Sequence, residues 1–208
     1  MPVNKLEQYS ENHSFEESEI LKGVREATKY ELQYDDMLSG KLVLGLLKLL
    51  IRIGGYKRIL EVGMFTGYAT IGMAEELPND GKITAIEMNQ RYRQIAERFI
   101  HESGLAPKVE ILFGNARELV QTLDDSFDLI FLDADKQFYP TYYNILKPKL
   151  RTGGLFVVDN VFWGGGVLDI ADRKSEAIHK LNQLIKDDSD MEQVMLTIRD
   201  GLLIARKR

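Results

Sequence analysis

The sequence predicts a doubly wound α/β sheet, mostly parallel, with one antiparallel strand near its end and helices on both faces. Three observations predict it. Short apolar runs at Arg58–Val62, Ile83–Ile86, Val109–Phe113, Leu129–Leu132 and Leu155–Val158 are too short and too continuous for amphipathic helices, and suit buried parallel strands. Helical patterns near Tyr68–Glu76, Gln90–Ser103, Ala116–Leu123 and Tyr139–Leu150 separate them, which is the alternation of a parallel sheet. The tail breaks that alternation. A helix over about Asp172–Lys186 precedes two runs, Glu192–Ile198 and Leu202–Ala205, that only Arg-Asp-Gly separates, so they form a hairpin.

Upstream of the first strand, Ser14-Phe-Glu-Glu17 has the spacing of a capping box and predicts a helix running to about Lys29. A second helix is predicted from about Leu38 to Ile53, stopped by Gly54-Gly55. Pro78–Gly81 and Arg151–Gly154 have turn composition. With no repeat, low-complexity tract or Pro/Ser-rich linker, the 208 residues are expected to form one domain. It divides into a helical extension (1–55) and the sheet core (56–208).

Composition excludes some chemistry. There is no cysteine, hence no disulfide and no thiolate nucleophile or metal ligand. The acidic N-terminus (Glu7, Glu11, Glu16, Glu17) is wrong for a signal peptide. Leu42–Ile53 is broken by Lys48 and Arg52 and is too short to span a bilayer, so a cytoplasmic protein without a membrane partner is expected. A net charge of −5 gives no global attraction to nucleic acid, although a local basic patch remains compatible with it. The three histidines are scattered and suggest no metal site.

Ligands of such sheets bind beyond the carboxyl ends of the strands, where the strand order reverses. The turn after the first strand is Leu60-Glu-Val-Gly-Met-Phe-Thr-Gly-Tyr68. Gly63 and Gly67 allow close backbone approach, but their G-x-x-x-G spacing differs from the tighter phosphate-binding G-x-G-x-x-G. Glu61 just before them is a poor host for a pyrophosphate and a good one for a cationic amino-acid ligand, which favours S-adenosylmethionine (SAM) over NAD. Alone, the two-glycine loop is equally compatible with a ligand-free turn. The second strand ends on Glu87, 26 residues after Glu61, where a carboxylate can take both ribose hydroxyls or simply face the dipole of the next helix. Asn115 and Ala116, after Gly114, can edge an adenine.

The fourth strand ends on Asp133, Asp135 and Lys136, and the fifth on Asp159 and Asn160. Adjacent strand ends bring Asp133, Asp159 and Asn160 together as an all-oxygen donor set. That set suits Mg²⁺, with Mn²⁺ or Ca²⁺ as alternatives, rather than zinc. Each Asp singly can be an Asx turn or helix cap. Clustered acids without a cation would repel one another, so the group as a whole favours a metal.

Leu-Glu-Val-Gly-Met-Phe-Thr-Gly-Tyr68, Phe-Leu-Asp-Ala-Asp-Lys136 and Asp-Asn-Val-Phe-Trp163 resemble the metal-dependent O-methyltransferases that include the caffeoyl-CoA and catechol enzymes. The similarity runs from about Tyr9 to Lys207, including the closing Asp-Gly-Leu-Leu-Ile-Ala-Arg-Lys. It implies a Rossmann-like methyltransferase sheet and a homodimer, the latter also favoured by the apolar excess of Leu42–Ile53. It implies that Asp133, Asp159 and Asn160 bind the metal. SAM contacts then fall on Ser39, Glu61, Gly63, Met64, Gly67, Tyr68, Glu87, Asn115, Ala116, Asp133 and Asp135, and Lys136 is the general base. Two departures stand out: Ala69 replaces a common serine, and Gly164-Gly-Gly166 follows Trp163 where plant relatives have an Asn.

The constellation predicts that Lys136, with a lowered pKa, removes the proton of an acceptor hydroxyl that a nearby cation makes more acidic, before in-line attack on the methyl group. An ordinary Lys136–Asp133 ion pair is the plainer alternative. Phe138, Tyr142, Phe162 and Trp163 can wall a small, planar hydroxylated acceptor, whereas Tyr139 and Tyr143 have the spacing of sheet-packing residues. A tRNA methyltransferase acting on a hydroxylated nucleoside is the rival reading. It requires Lys147, Lys149, Arg151, Arg173 and Lys174 to form a basic surface. A SAM-binding module without catalysis is disfavoured by the presence of the whole metal set with Lys136.

Overall fold

A computed structural model of the chain describes residues 5–33, 37–123, 126–170 and 172–208. Helices α1 (Lys5–Asn12), α2 (Glu19–Ala27) and α3 (Gly40–Gly54) precede the sheet core. The core alternates β1 (Arg58–Val62), α4 (Tyr68–Glu76), β2 (Lys82–Glu87), α5 (Gln90–Glu102), β3 (Val109–Phe113), α6 (Ala116–Thr122), β4 (Phe127–Leu132), α7 (Tyr139–Leu146) and β5 (Leu150–Asp159). The short α8 (Gly166–Asp169) and the long α9 (Arg173–Asp187) lead to the hairpin β6 (Met191–Leu196) and β7 (Leu202–Lys207).

The seven strands lie in the order β3-β2-β1-β4-β5-β7-β6, and β7 alone runs against its neighbours β5 and β6. Strand order reverses between β1 and β4, as the predicted fold requires. Two apolar layers cover the sheet. Tyr139, Tyr143, Leu146, Ile178, Leu181 and Ile185 of α7 and α9 bury one face. Val43, Leu47 and Ile51 of α3 with Met73 and Ala74 of α4 bury the other. Burial on this scale, about 1.5–3 kcal/mol for each large side chain, is what holds the strand ends in place.

Three sequence expectations need correction. The first long helix starts at Ser18, whose hydroxyl accepts from Leu21 N at 3.3 Å, not at the Ser14 box. Ser14 instead donates to Ser10 O at 2.6 Å, closing an unforeseen and largely exposed α1. Arg151–Gly154 is no turn but part of β5, as a bulge: pairing jumps from Phe127–Leu150 to Leu129–Leu155. The helix after β4 stops at Leu146, because Pro148 permits only a 3₁₀ turn over Lys147–Lys149.

Helix α2 runs on into a π-turn, Thr28–Leu32, and docks on the β1–α4 turn. The fully buried Thr28 donates to Val24 O at 2.7 Å and meets the equally buried Thr66 hydroxyl at 2.8 Å. With Thr28's proton committed, Thr66 must be the donor. Thr28→Val leaves the buried Thr66 hydroxyl proton without an acceptor and should cost about 1–3 kcal/mol in urea denaturation. Adding Thr66→Val should recover part of the loss; a double variant weaker than the single would contradict the pairing.

Candidate active site

Parallel register brings the strand ends level. Val62 pairs with Leu132, and Leu132 with Val158, so Gly63, Asp133 and Asp159 leave three adjacent strands together. Asp133 N donates to Val62 O at 2.9 Å. A side chain at Gly63 (φ +101°) would overlap the Asp133 carbonyl, so glycine is what lets β1 and β4 meet here. The Tyr139 hydroxyl reaches Asp159 O at 3.2 Å and Leu132 O at 3.5 Å, tying the ends of β4 and β5. Sequence alone suggested only packing for this residue.

Above these ends opens a cleft of about 1610 Å³. Ser39, Gly63, Glu87, Asn115, Ala116, Asp133, Asp135, Lys136, Asp159 and Asn160 line it, as do Phe138, Tyr142 and Trp163. Ser39 is buried at the start of α3, and its hydroxyl makes no hydrogen bond among the described residues. Asn115 Oδ1 caps α6 through Arg117 N at 3.1 Å, and Asp135 Oδ1 accepts from Gln137 N at 3.2 Å. Four predicted cofactor residues lie behind the wall instead. Met64 is core, and Gly67 lets α4 pack on Ala96, where a Cβ would stand 2.9 Å away. The Tyr68 hydroxyl bonds Glu17 and accepts from Arg25 at 3.1 Å. Glu61 is buried against the Thr70 hydroxyl.

The electrostatics are dominated by crowded acids. Burial pushes Glu61 up to about 8, Thr70 opposes the rise, and Asp133 and Glu87 add to it. Glu87 is also raised by burial, although its Oε1 accepts from Met88 N (2.8 Å) and Asn89 N (2.7 Å) and its Oε2 from Phe65 N (2.8 Å). All three amides belong to the segments just after β1 and β2, so Glu87 braces those turns, and it is Asn89 that caps α5 by accepting from Arg91 N and Tyr92 N. Asp159, 2% exposed, is raised by burial and then by Asp133. Its Oδ1 accepts from Asn160 N at 2.8 Å. Asn160 sits in the left-handed region (φ +58°), and no hydrogen bond among the described residues engages its side chain.

Lys136 Nζ donates to Asp133 Oδ1 at 2.6 Å and lies 5.3 Å from the Tyr139 ring. Burial depresses its pKa, but the Asp133 charge outweighs burial and carries it above the usual lysine range. The lowered value predicted from sequence is thus corrected: without another cation beside it, the acid pins the lysine's proton. The donor set fits a hard cation. It offers a buried carboxylate, a second one neutralised only by lysine, and an uncommitted amide oxygen. Among the described residues no three His, Cys, Asp or Glu side chains are placed to hold a metal ion together, so a third donor beside Asp133 and Asp159 would have to be an amide such as that of Asn160.

A family model described as O-methyltransferase matches residues 11–208. The chain belongs to the O-methyltransferase family. It is a SAM-dependent enzyme resembling the caffeoyl-CoA O-methyltransferases. A flavonoid 3',5'-methyltransferase of Vitis vinifera is 31% identical over 206 residues, covering 92% of this chain and 88% of that one. Tricin synthase 1 of Oryza sativa subsp. japonica is 35% identical over 179 residues, 78% of this chain and 71% of its own length. Among solved structures, the O-methyltransferase TomG of Streptomyces achromogenes, in complex with SAM, has a TM-score of 0.90 at 30% identity. It covers 99% of this chain and 96% of its own. A Bacillus cereus O-methyltransferase in complex with SAH gives 0.91 at 26% identity, covering 99% and 98%.

Further residues of the O-methyltransferase cleft escaped the sequence reading. Leu6, Glu7, Ser10 and Glu11 of α1 line it, as do Arg25 and residues Thr197–Asp200 of the β6–β7 turn. The basic residues required for tRNA do not form one surface. Lys147, Lys149 and Arg151 flank the start of β5, at the opposite end of the sheet from the cleft. Lys147 is paired with Asp188 and Asp190, Arg151 with Asp128, and Lys149 with Leu123 O. Among the described residues, no helix is long and apolar enough to cross a membrane.

Glu61 gives a pH test. Its folded pKa of about 8 lies above its ordinary 4.5, so the folded state binds more protons between these values and stability falls as pH rises through that window. The fall from this group is at most about 1.4 kcal/mol per pH unit. Urea denaturation at both ends of the window should show Glu61→Gln flattening the slope; an unchanged slope would place the titration elsewhere.

Proposed function

We propose that this enzyme methylates a hydroxyl of a small catechol-like or phenolic acceptor, with a divalent cation, most simply Mg²⁺, held by Asp133, Asp159 and Asn160. One observation carries the reading: two level strand ends offer three oxygen donors at the floor of the cleft, beside Lys136. Glu87, Asn115, Ala116 and Asp135 hold the nucleoside end of SAM. Ser39 and Gly63 hold its amino-acid end. Glu61 stands behind the turn as a buried carboxyl that is protonated below about pH 8, and a cationic ligand beside it would favour its ionised form. Met64, Gly67 and Tyr68 shape the turn without lining the cleft.

A divalent cation bound there supplies positive charge that stabilises the acceptor's oxyanion. With a second cation on Asp133, Lys136 would release its own proton to solvent, and the neutral Nζ would then be free to accept the acceptor's proton. Phe138, Tyr142 and Trp163 wall a planar ring and align its oxygen with the methyl group. The tRNA reading has less support, because three of its five basic residues are engaged at the far end of the sheet.

Two substitutions separate cofactor from acceptor chemistry. Glu87→Ala should weaken SAM binding about tenfold or more, since a hydrogen bond to a charged acceptor is worth ~1.5–3 kcal/mol. Asp159→Ala should leave SAM affinity nearly intact in calorimetry while methyl transfer to a catechol collapses. EDTA should abolish wild-type turnover and Mg²⁺ restore it. EDTA-insensitive turnover or a fully active Asp159→Ala would refute the metal assignment.

We also propose a homodimer. Leu49 (55% exposed) and Ile53 (81% exposed) of α3 are apolar side chains left open on the helix face, and Val194 of β6 is half exposed. A second copy would cover them. Sedimentation at micromolar concentration should give a dimer that Ile53→Glu weakens; a monomeric wild type would refute it.

A further inference from the structure

The β6–β7 turn does more than reverse the chain. Arg199 Nη1 donates to Leu38 O, next to Ser39. A side chain at Gly40 (φ +82°) would stand 2.6 Å from that guanidinium nitrogen, so glycine lets the arginine lie across the start of α3. On the other side the same turn grips the segment after Asn160. Asp200 O accepts from Phe162 N at 2.9 Å, and Gly201 O from Val161 N at 3.2 Å. Asp200 Oδ1 accepts from Gly164 N at 2.7 Å. A side chain at Gly201 (φ +87°) would meet the Phe162 ring at 2.5 Å, so glycine is needed for this contact too.

The gripped segment needs outside support. Asn160 (φ +58°) and Trp163 (φ +50°) are both left-handed non-glycine residues, a conformation that persists only where neighbouring structure imposes it. Three of its backbone amides, those of Val161, Phe162 and Gly164, are held by two residues of the turn.

We infer that Arg199 and Asp200 are positioning residues: Arg199 sets the Ser39 shelf of the cofactor site, and Asp200 sets the Asn160–Gly164 wall of the acceptor site. The two halves act on different ligands through one rigid turn. This rests on the cofactor and acceptor ends assigned above, but each half has its own readout.

Trp163 is the only tryptophan of the chain, so its fluorescence reports the acceptor wall without any ligand. S-adenosylhomocysteine titrated in a calorimeter reports the shelf. Arg199→Ala should weaken S-adenosylhomocysteine binding about tenfold with Trp163 emission unchanged, and Arg199→Lys should recover part of the affinity. Asp200→Ala should red-shift Trp163 emission and increase its quenching by iodide, with affinity within about twofold of wild type. Asp200→Asn, which keeps the acceptor oxygen, should look like wild type. If Asp200→Ala does not fold, Asp200→Glu displaces that oxygen and should give the same red shift. Wild-type affinity in Arg199→Ala, or wild-type emission in Asp200→Ala, overturns the inference. So do proportional changes of both readouts in every variant, which mean general loosening. A wild-type chain that binds no S-adenosylhomocysteine instead counts against the cofactor assignment, and the emission arm still tests the Asp200 half.

Discussion

Carboxylates drawn level at neighbouring strand ends are the constraint on which the rest of this site depends. Register places Asp133 beside Asp159, with Glu61 and Glu87 on the two strands next to them. Burial and mutual repulsion raise Glu61 and Asp159, and burial raises Glu87. The fold offsets part of this with three backbone amides on Glu87, a hydroxyl on Glu61 and the Lys136 ammonium on Asp133. What remains is a set of carboxyls pushed toward their neutral form, which a cation entering the cleft would let ionise. The sulfonium and ammonium groups of SAM, and the divalent cation proposed above, are ligands that such carboxyls would favour.

Much of this was legible in the sequence, for physical reasons. The boundaries of β1, β3 and α4 follow from apolar runs bounded by glycines and charges, and the structure reproduces them to the residue. The residues gathered at the cleft are strand-end residues, so finding the strands also found Glu87, Asp133, Asp159 and Asn160. The capping box failed because local hydrogen-bond chemistry at Ser14 and Ser18 is alike. Burial of Leu21 and Val24 decides between them, and that is a tertiary fact. Arg151–Gly154 failed because turn composition also suits a bulge inside a strand.

Long-range partnerships were illegible altogether. Arg199 and Leu38 are 161 positions apart, and Tyr68 and Glu17 are 51 apart; nothing local marks either pair. For Lys136 the sequence left two readings, a lowered pKa or an ion pair with Asp133, and only the structure decides for the pair, because the outcome depends on Asp133 being the nearest charge in a buried site. The wall formed by Leu6, Glu7 and Ser10 lies before the span that matches the family model.

Anomalous diffraction from crystals grown with S-adenosylhomocysteine and Mn²⁺ tests the central claim most directly. The account predicts one strong peak within coordination distance of Asp133, Asp159 and Asn160, with Lys136 Nζ moved off Asp133 Oδ1. A Mn²⁺-saturated crystal with no peak there, and the Lys136–Asp133 pair intact, would contradict it.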